Sequence, residues 1–301
     1  MIQDILPLHF MNQYKTLSPE KGDKVFCFWD NQLLMTEAGE LDYPTYGELI
    51  HAMQSEQELS CELIYLFAIE DEQGEEQRYF LAHHIATPVD MEGYVYHRMF
   101  DTRTREPKEA IMAASTAFHL YMWYRDNHFC GRCGQPMEHD KKQRMLFCPE
   151  CKNMVFPKVA PAVIVGVYDG DRILLTKYAN REYTRYALIA GFTEIGETPE
   201  ETVAREVMEE VGLRVKNIQY YASQPWGYDS NLLIGYFAQL DDTHKIHMDE
   251  EELAVAEWKE HQQVPDEGNE LSLTGEMMAF FRDRVQFEAY RQEKTNKRLK
   301  K

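Results

Sequence analysis

No run in this 301-residue chain approaches the eighteen or more consecutive apolar residues that a membrane-spanning helix requires. The N-terminus also lacks the basic start and apolar stretch of a secretory leader, which predicts a cytoplasmic protein with no membrane partner. Positive charge is in short supply: 32 Lys and Arg stand against 51 Asp and Glu, a formal net charge of −19. Nonspecific nucleic-acid binding needs a concentrated basic surface, so a polyanionic partner would have to bind through a metal ion or a local patch. Cysteine is scarce and uneven, with Cys27 and Cys61 alone and the other four clustered. That distribution excludes a secreted disulfide scaffold, and the two singletons read as small buried hydrophobes.

Apolar residues make up 44% of the chain, enough for real cores in two or three domains. Residues 1 to about 103 alternate short apolar runs with turn signals. Lys24–Trp29 and Gln32–Met35 flank Asp30-Asn31, and Glu62–Ile69 and Gln77–Ala82 flank an acidic turn containing Gly74. This predicts a mostly β N-terminal domain with one or two helices. His83, His84 and His97 fit no recognised metal-ligand spacing and read as structural. After Pro107, apolar residues at three- and four-residue spacing (Ile111, Ala114, Phe118, Tyr121, Met122) predict a helix to about Tyr124 that packs on this domain.

Cys130-Gly-Arg-Cys133 and Cys148-Pro-Glu-Cys151 follow, fourteen residues apart. Two such knuckles favour a tetrahedral four-thiolate zinc site, closed and therefore structural. A nucleic-acid-binding ribbon is the alternative, but Arg132, Lys141, Lys142 and Arg144 are nearly balanced by Glu138, Asp140 and Glu150. Beyond it, Ala160–Tyr168 and Arg172–Lys177 form a hairpin pattern across Asp169-Gly170, Tyr186–Ala190 reads as a short buried strand, and further strands are expected near 214–222 and 232–240. A helix is expected over about 275–291, and the basic end, 291–301, reads as a solvated tail.

Between these strands lies Gly191-Phe-Thr-Glu-Ile-Gly-Glu197-Thr-Pro-Glu-Glu-Thr-Val-Ala-Arg205-Glu206-Val-Met-Glu209-Glu210-Val-Gly212. Thr198, Pro199 and Glu201 make a capping box with proline at the first helical position, and Gly212 is a stop, so a helix over about 199–211 is predicted. At 100° per residue Val203, Ala204, Val207, Met208 and Val211 share one arc, and Glu206, Glu209 and Glu210 another. Glu206 and Glu210 one turn apart cost about 0.2–0.5 kcal/mol in an isolated helix, a repulsion that a bound divalent cation turns into attraction. A solvated acidic face is the plain alternative.

The pattern G-x5-E-x7-R-E-U-x-E-E-x-G-U, with U aliphatic, resembles the Nudix hydrolase box at every fixed position. The resemblance implies that Glu206, Glu209 and Glu210 are Mg²⁺ or Mn²⁺ ligands, that Glu197 and Arg205 support the geometry, and that a nucleoside diphosphate linked to another group is hydrolysed. A four-cysteine ribbon just ahead of the box, Phe129–Gly134 after Trp123, Pro157, and Ser223-Gln-Pro-Trp226 resemble the NADH pyrophosphatase (NAD⁺ diphosphatase) branch over residues 120–258. The branch implies NADH or NAD⁺ as substrate, cleaved to NMN(H) and AMP, and a homodimer; other dinucleotides or nucleotide sugars such as ADP-ribose and FAD, and NAD-capped RNA, are the alternatives within the class. A zinc-ribbon nucleic-acid-binding or nucleotide-sensing protein is the alternative outside it.

By the same resemblance Glu252, in Asp249-Glu-Glu-Glu252-Leu253, is a further metal ligand. Phe156 and Phe192 fall at ligand-contacting positions, and the loop Gln224-Pro225-Trp226-Gly227-Tyr228-Asp229-Ser230-Asn231 contacts substrate. That loop departs from the branch's S-Q-P-W-P-F-P-x-S. Gly227 in place of proline would loosen it, and Asp229 would bring negative charge toward an anionic ligand. The implied architecture is α+β and α/β: an N-terminal β-rich domain over 1–125, a zinc ribbon over 126–156, a Nudix α/β/α sandwich with mixed sheet over 157–290, and a basic tail over 291–301.

Overall fold

A computed structural model describes residues 1–53, 61–180, 184–241, 245–266 and 271–299, with side chains to residue 292. The chain divides into two compact units. One holds Ile2–Val159 together with Trp226–Ser230; the other holds Met1, Ala160–Pro225 and Asn231–Lys301. Among the described residues no helix is long and apolar enough to cross a membrane.

The first unit contains strands β1 (His9–Met11), β2 (Lys24–Trp29) and β3 (Gln32–Thr36), helix α1 (Tyr46–Ala52), strands β4 (Glu62–Glu70), β5 (Glu76–His83) and β6 (Tyr94–Arg98), helix α2 (Lys108–Asp126), and the short strands β7 (Glu138–His139), β8 (Leu146–Phe147) and β9 (Met154–Val155). Strands β1 to β6 form one sheet in the order β1-β4-β5-β2-β3-β6. Both hairpins read from the sequence are present, Phe28 pairing with Leu33 and Glu70 with Glu76. Strand alternation divides the side chains. Val25, Cys27, Phe80 and Ala82 join one buried cluster with Leu49 of α1. Phe28 points the other way and meets Tyr121 and Phe118 of α2, with ring centroids 4.5 and 5.7 Å away. Cys27 is fully buried, which pushes its thiol well above the ordinary range.

The four-cysteine segment closes β7–β9 into a three-stranded sheet. Its two knuckles repeat one backbone device. Gly134 N–H donates to Cys130 O at 2.8 Å and Lys152 N–H to Cys148 O at 3.0 Å, with Gly134 and Lys152 both at positive φ. All four Sγ atoms lie within 4.8 Å of one another, and the Cys130–Cys151 and Cys133–Cys148 pairs are 3.5 Å apart. A tetrahedral ion about 2.3 Å from each sulfur needs edges of about 3.8 Å, so the thiols are set for zinc with little adjustment. The Arg132 backbone N–H, helped by that of Cys133, lowers the Cys130 thiol toward the ligating thiolate, while hydrogen bonds with the neighbouring thiols raise Cys133. Of the basic residues weighed for nucleic acid, Arg144 is committed internally: it donates to Asn12 Oδ1 at 2.9 Å and to the Leu66 carbonyl, and burial lowers its pKa.

The second unit comprises β10 (Ala160–Asp169), β11 (Arg172–Tyr178), β12 (Ile189–Phe192), α3 (Pro199–Val211), β13 (Val215–Trp226), β14 (Asn231–Leu240), β15 (Leu253–Glu260), α4 (Leu273–Arg282) and α5 (Arg284–Leu299). Its sheet, in the order β13-β14-β10-β11-β15 with β12 also on β10, is mixed: β10 runs parallel to β14 and antiparallel to β11 and β12. Alternation along β10 builds two layers. Val163, Val165 and Val167 pack with Val203, Val207 and Val211 of α3, while Ile164 and Tyr168 share a cluster with Leu273, Met277, Phe281 and Phe287 of α4 and α5. The result is an α/β/α sandwich.

Four expectations shift. The helix expected over 275–291 is two helices parted at Asp283, and the stretch read as a solvated tail continues as α5 to Leu299; residues 300 and 301 lie outside the described residues. Strand β13 extends to Trp226, so Ser223–Trp226 is its end rather than a loop. The buried arc of α3 is rotated from the one drawn by hydrophobicity, because Ala204 is exposed and Met208 is 42% exposed.

Removing the zinc or replacing one of its ligands should unfold the β7–β9 segment. Structural zinc sites contribute several kcal/mol, so Cys148→Ser is expected to lower Tm by at least about 6 °C by circular dichroism. Metal analysis of the wild type should find zinc bound by the ribbon, and an undiminished Tm in the variant would rule out a structural ion.

Candidate active site

Strand β12 delivers the acidic segment to its helix. Gly191 pairs with Val163 of β10, and the chain then turns through Glu194–Glu197 into α3. At the helix start the capping box forms in both directions. Glu201 N–H donates to Thr198 Oγ1 at 3.3 Å, and Thr198 N–H donates to Glu201 Oε2 at 2.7 Å. At the other end Gly212, at φ 65°, closes the helix by donating to Met208 O at 3.0 Å. Helix length is set by these two local signals.

The rotated arc has a chemical consequence. Glu206 and Glu210 are buried, at 9% and 3% exposure, on the flank of the valine stripe that packs on the sheet, whereas Glu209 stays exposed. Room for Glu206 exists only because residue 191 is glycine: a Cβ there would lie 1.9 Å from Glu206 Cδ. Burial raises the Glu206 pKa, Arg205 opposes that rise, and the negative charges of Glu209 and Glu252 add to it. Glu252, exposed at the mouth of β15, is thus electrostatically coupled to Glu206. Its segment is fastened to the end of α3, since Asp249 N–H donates to Glu210 O at 2.8 Å and His247 N–H to Val211 O at 2.9 Å.

Arg205 is the counter-ion of the cluster. It grips Glu197 with Nε and Nη2 at 2.7 and 3.0 Å, reaches Glu206 and Glu209 with Nη1 at 2.7 and 2.9 Å, and donates to Phe192 O at 2.8 Å. Glu197 also accepts from Glu194 N–H and from Thr202 Oγ1. The Arg205 guanidinium holds the Glu197 carboxyl down at about 2. Arg205 and Glu197 therefore act as supports of the turn and helix. Unlike the thiols, the α3 carboxylates do not gather three oxygens within 4.8 Å of one another among the described residues. They nonetheless present hard oxygen donors on consecutive turns, the chemistry Mg²⁺ and Mn²⁺ take, with a glycine cradle holding one of them.

The substrate-contact residues read from the sequence fare unevenly. Phe192 is 54% exposed at the end of β12, and in the other unit Phe156 is 52% exposed after β9. Pro225 is exposed and Asn231 buried. Gln224, expected to reach a nucleotide, is fully buried, with its amide donating to Leu271 O and accepting from Leu273 N–H, both at 2.7 Å. It holds the start of α4.

Residues 226–230 pack within the first unit. Gly227 N–H donates to Ser115 Oγ of α2 at 3.1 Å, and a Cβ at Gly227 would fall 2.0 Å from the Ser115 carbonyl oxygen. Glycine here fits a tight approach and does not loosen the turn. Asp229 accepts from Trp226 Nε1 at 3.1 Å, so its charge is engaged within the turn. Trp226 is only 8% exposed, covered by Arg103 at 4.9 Å and by Tyr228, whose hydroxyl meets Thr102 Oγ1 at 2.8 Å. The open stacking surfaces expected of Trp226 and Tyr228 are largely covered. Ser230 ends the turn at φ 58°.

Comparison with known proteins agrees with these parts. Residues 158–279 match the NUDIX domain, and residues 125–156 match the NADH pyrophosphatase zinc ribbon domain. A protein of Klebsiella pneumoniae named NAD-capped RNA hydrolase NudC is 39% identical over 152 residues, 50% of this chain and 59% of that protein. A Salmonella typhimurium protein of the same name is 37% identical over 171 residues, 56% of this chain and 66% of its own. The matched stretches thus span less than two thirds of these relatives. A NUDIX hydrolase crystal structure from Nitrosomonas europaea aligns with a TM-score of 0.46 and 23% identity, covering 52% of this chain and 92% of that one.

Two outcomes test this geometry. Because the folded pKa of Glu197 lies near 2 against the usual 4.5, its ion pair contributes stability that is fully present above about 4.5 and lost as pH falls through about 2. The stability gap between wild type and Glu197→Gln in urea unfolding should be constant above that window and close within it; a gap that stays level through the window would remove the ion pair from the account. Gly227→Pro, which installs the residue of the resembling loop, removes a buried donor and adds atoms where a carbonyl sits. It is expected to cost about 3 kcal/mol or more and lower Tm by several degrees, and an unchanged Tm would contradict the packing described.

Proposed function

We propose that this chain, a Nudix domain behind an NADH pyrophosphatase-type zinc ribbon, hydrolyses the pyrophosphate bond of NAD(H) or of NAD at the end of a capped RNA, with Mg²⁺ or Mn²⁺ as cofactor. The single observation that carries the reading is the placement of Glu206 and Glu210. Two carboxylates are buried one turn apart beside a glycine cradle, an arrangement costly by itself and favourable once a divalent cation is held there. Glu206, Glu209 and Glu210, with Glu252, are the ligands assigned to the cation, which supplies Lewis acidity toward a pyrophosphate oxygen and toward water.

The other groups position and screen. Arg205 holds Glu197 bidentately and shares Glu206 and Glu209, so it would keep these carboxylates positioned for a cation. Phe192 and Phe156 each present an exposed ring face on which a base can stack, a contact of about 1–3 kcal/mol in stacking systems. Pro225, and Ser230 in part, remain contact candidates of the 224–231 segment, while Gln224, Trp226, Gly227, Tyr228 and the exposed Asp229, which accepts from Trp226, support its shape. A homodimer in the cytoplasm completes the proposal, on the resemblance alone.

The test is a hydrolysis screen with Mg²⁺ over NADH, NAD⁺, ADP-ribose, FAD, diadenosine polyphosphates and NAD-capped RNA, run on wild type and Glu210→Gln. NADH, NAD⁺ or NAD-capped RNA should be cleaved fastest. The isosteric variant should keep its Tm and lose about 100-fold or more in turnover. Cleavage of none of these compounds, or wild-type turnover in Glu210→Gln, would overturn the assignment.

A further inference from the structure

Three histidines outside the four-thiolate set and the acidic helix converge in the first unit. His83 ends β5, His84 follows it, and His128 lies between α2 and Cys130; one ring nitrogen of each lies within 4.8 Å of the other two. His84 Nε2 and His128 Nδ1 approach to 2.9 Å although 44 positions separate them in sequence.

The convergence depends on an unusual backbone state. Successive residues of a strand point to opposite faces, so a regular continuation of β5 would send His83 toward α2 and His84 away from it. His84 instead has φ 60°, in the left-handed region that only a few residue types tolerate. The turn brings the two rings side by side, with centroids 3.7 Å apart, and His84 then meets the His128 ring near a right angle at 4.3 Å. Strain of this kind persists where the surroundings hold it, and it is found at ligand sites.

The spacing suits a small ion. A tetrahedral metal about 2.0–2.1 Å from each nitrogen requires nitrogen–nitrogen edges of about 3.3–3.4 Å, between the 2.9 Å of the closest pair and the 4.8 Å limit of the group. A cleft of about 430 Å³ opens beside His83 and His84, with Trp29, Asp30 and Arg125 on its walls, and gives room for a water as fourth ligand. Arg125 is held to Asp126 and Asn31.

We propose that His83, His84 and His128 form a second transition-metal site, selective for Zn²⁺ or a similar imidazole-seeking divalent ion, that ties the end of β5 to the residues leading into the first cysteine knuckle. A three-imidazole set with no carboxylate or thiolate suits Zn²⁺, Cu²⁺ or Ni²⁺ and discriminates against Mg²⁺ and Ca²⁺. The site is separate in residues and in ligand chemistry from the carboxylates of α3, so it stands whether or not the hydrolase assignment does.

The full chain is loaded with Zn²⁺, dialysed against millimolar Mg²⁺ to clear oxygen-donor sites, and assayed for zinc per chain. The wild type should retain about two ions, one in the four-thiolate site and one here, and His84→Asn about one, with its Tm showing that the ribbon is intact. Asparagine removes the imidazole and tolerates positive φ, so the variant separates ligation from backbone strain. One ion in the wild type, or two in a folded His84→Asn, overturns the proposal. Should the variant fail to fold, zinc-edge X-ray absorption of the wild type decides: mixed sulfur and nitrogen ligation is expected, and an all-sulfur shell overturns it.

Discussion

Four carboxylates and one guanidinium, from the turn before α3 to its last turn, set the terms for the second unit. Glu206 and Glu210 cannot turn to solvent without lifting the valine stripe off β10, because they lie on the same side of the helix as Val203 and Val207. Their burial is tolerated because Arg205 brings positive charge to Glu206 from its own helix, and because Gly191 leaves the space a side chain would fill. The guanidinium fork suits this task better than an ammonium would, since one side chain serves Glu197, Glu206, Glu209 and a backbone carbonyl at once. One guanidinium against four carboxylates leaves a surplus of negative charge, which a bound cation would relieve.

The first unit solves a different problem. Its sheet buries apolar and aromatic residues on both faces, and the β7–β9 segment, too small for a core, relies on thiolate ligation and on Arg144 reaching Asn12 and Leu66. The same economy of contact appears at residues 226–230, where a backbone amide and a glycine face the Ser115 turn of α2. Small residues there do the work that proline would do in a loop with space around it. Replacing prolines with Gly227 and Asp229 therefore exchanges intrinsic stiffness for specific hydrogen bonds.

Most of the fold was legible because its signals are local. The capping box at Thr198 and Glu201, the stop at Gly212, the hairpins at Asp30-Asn31 and Gly74, and the paired knuckles each involve residues within a few positions of one another. What was not legible depends on long-range contact. Hydrophobicity placed Met208 and Ala204 on the buried arc of α3, but Gly191 makes room for Glu206 on the opposite flank and the helix rolls toward it. Gln224 reads as a polar group near a loop, and only the return of residues 271–273 shows that its amide holds the N-terminal end of a helix. Read alone, Gly227 signals freedom; beside Ser115 it signals contact.

The histidines carry this argument furthest. Residues 83, 84 and 128 have none of the spacing by which ligands are found in a sequence, because two of them are adjacent at the end of a strand whose regular continuation would separate them. A left-handed residue cancels the alternation, and α2 carries the third back across the sheet it packs on. Both metal-ligand groups of the first unit therefore rest on positive φ, at Gly134 and Lys152 in the ribbon and at His84 beside it. In each case a local conformation that extended or helical backbone would not supply turns neighbouring donors toward one point. Motif searches succeed for the ribbon because both turns lie inside short repeats, and miss the histidines because their geometry is completed by a residue 44 positions away.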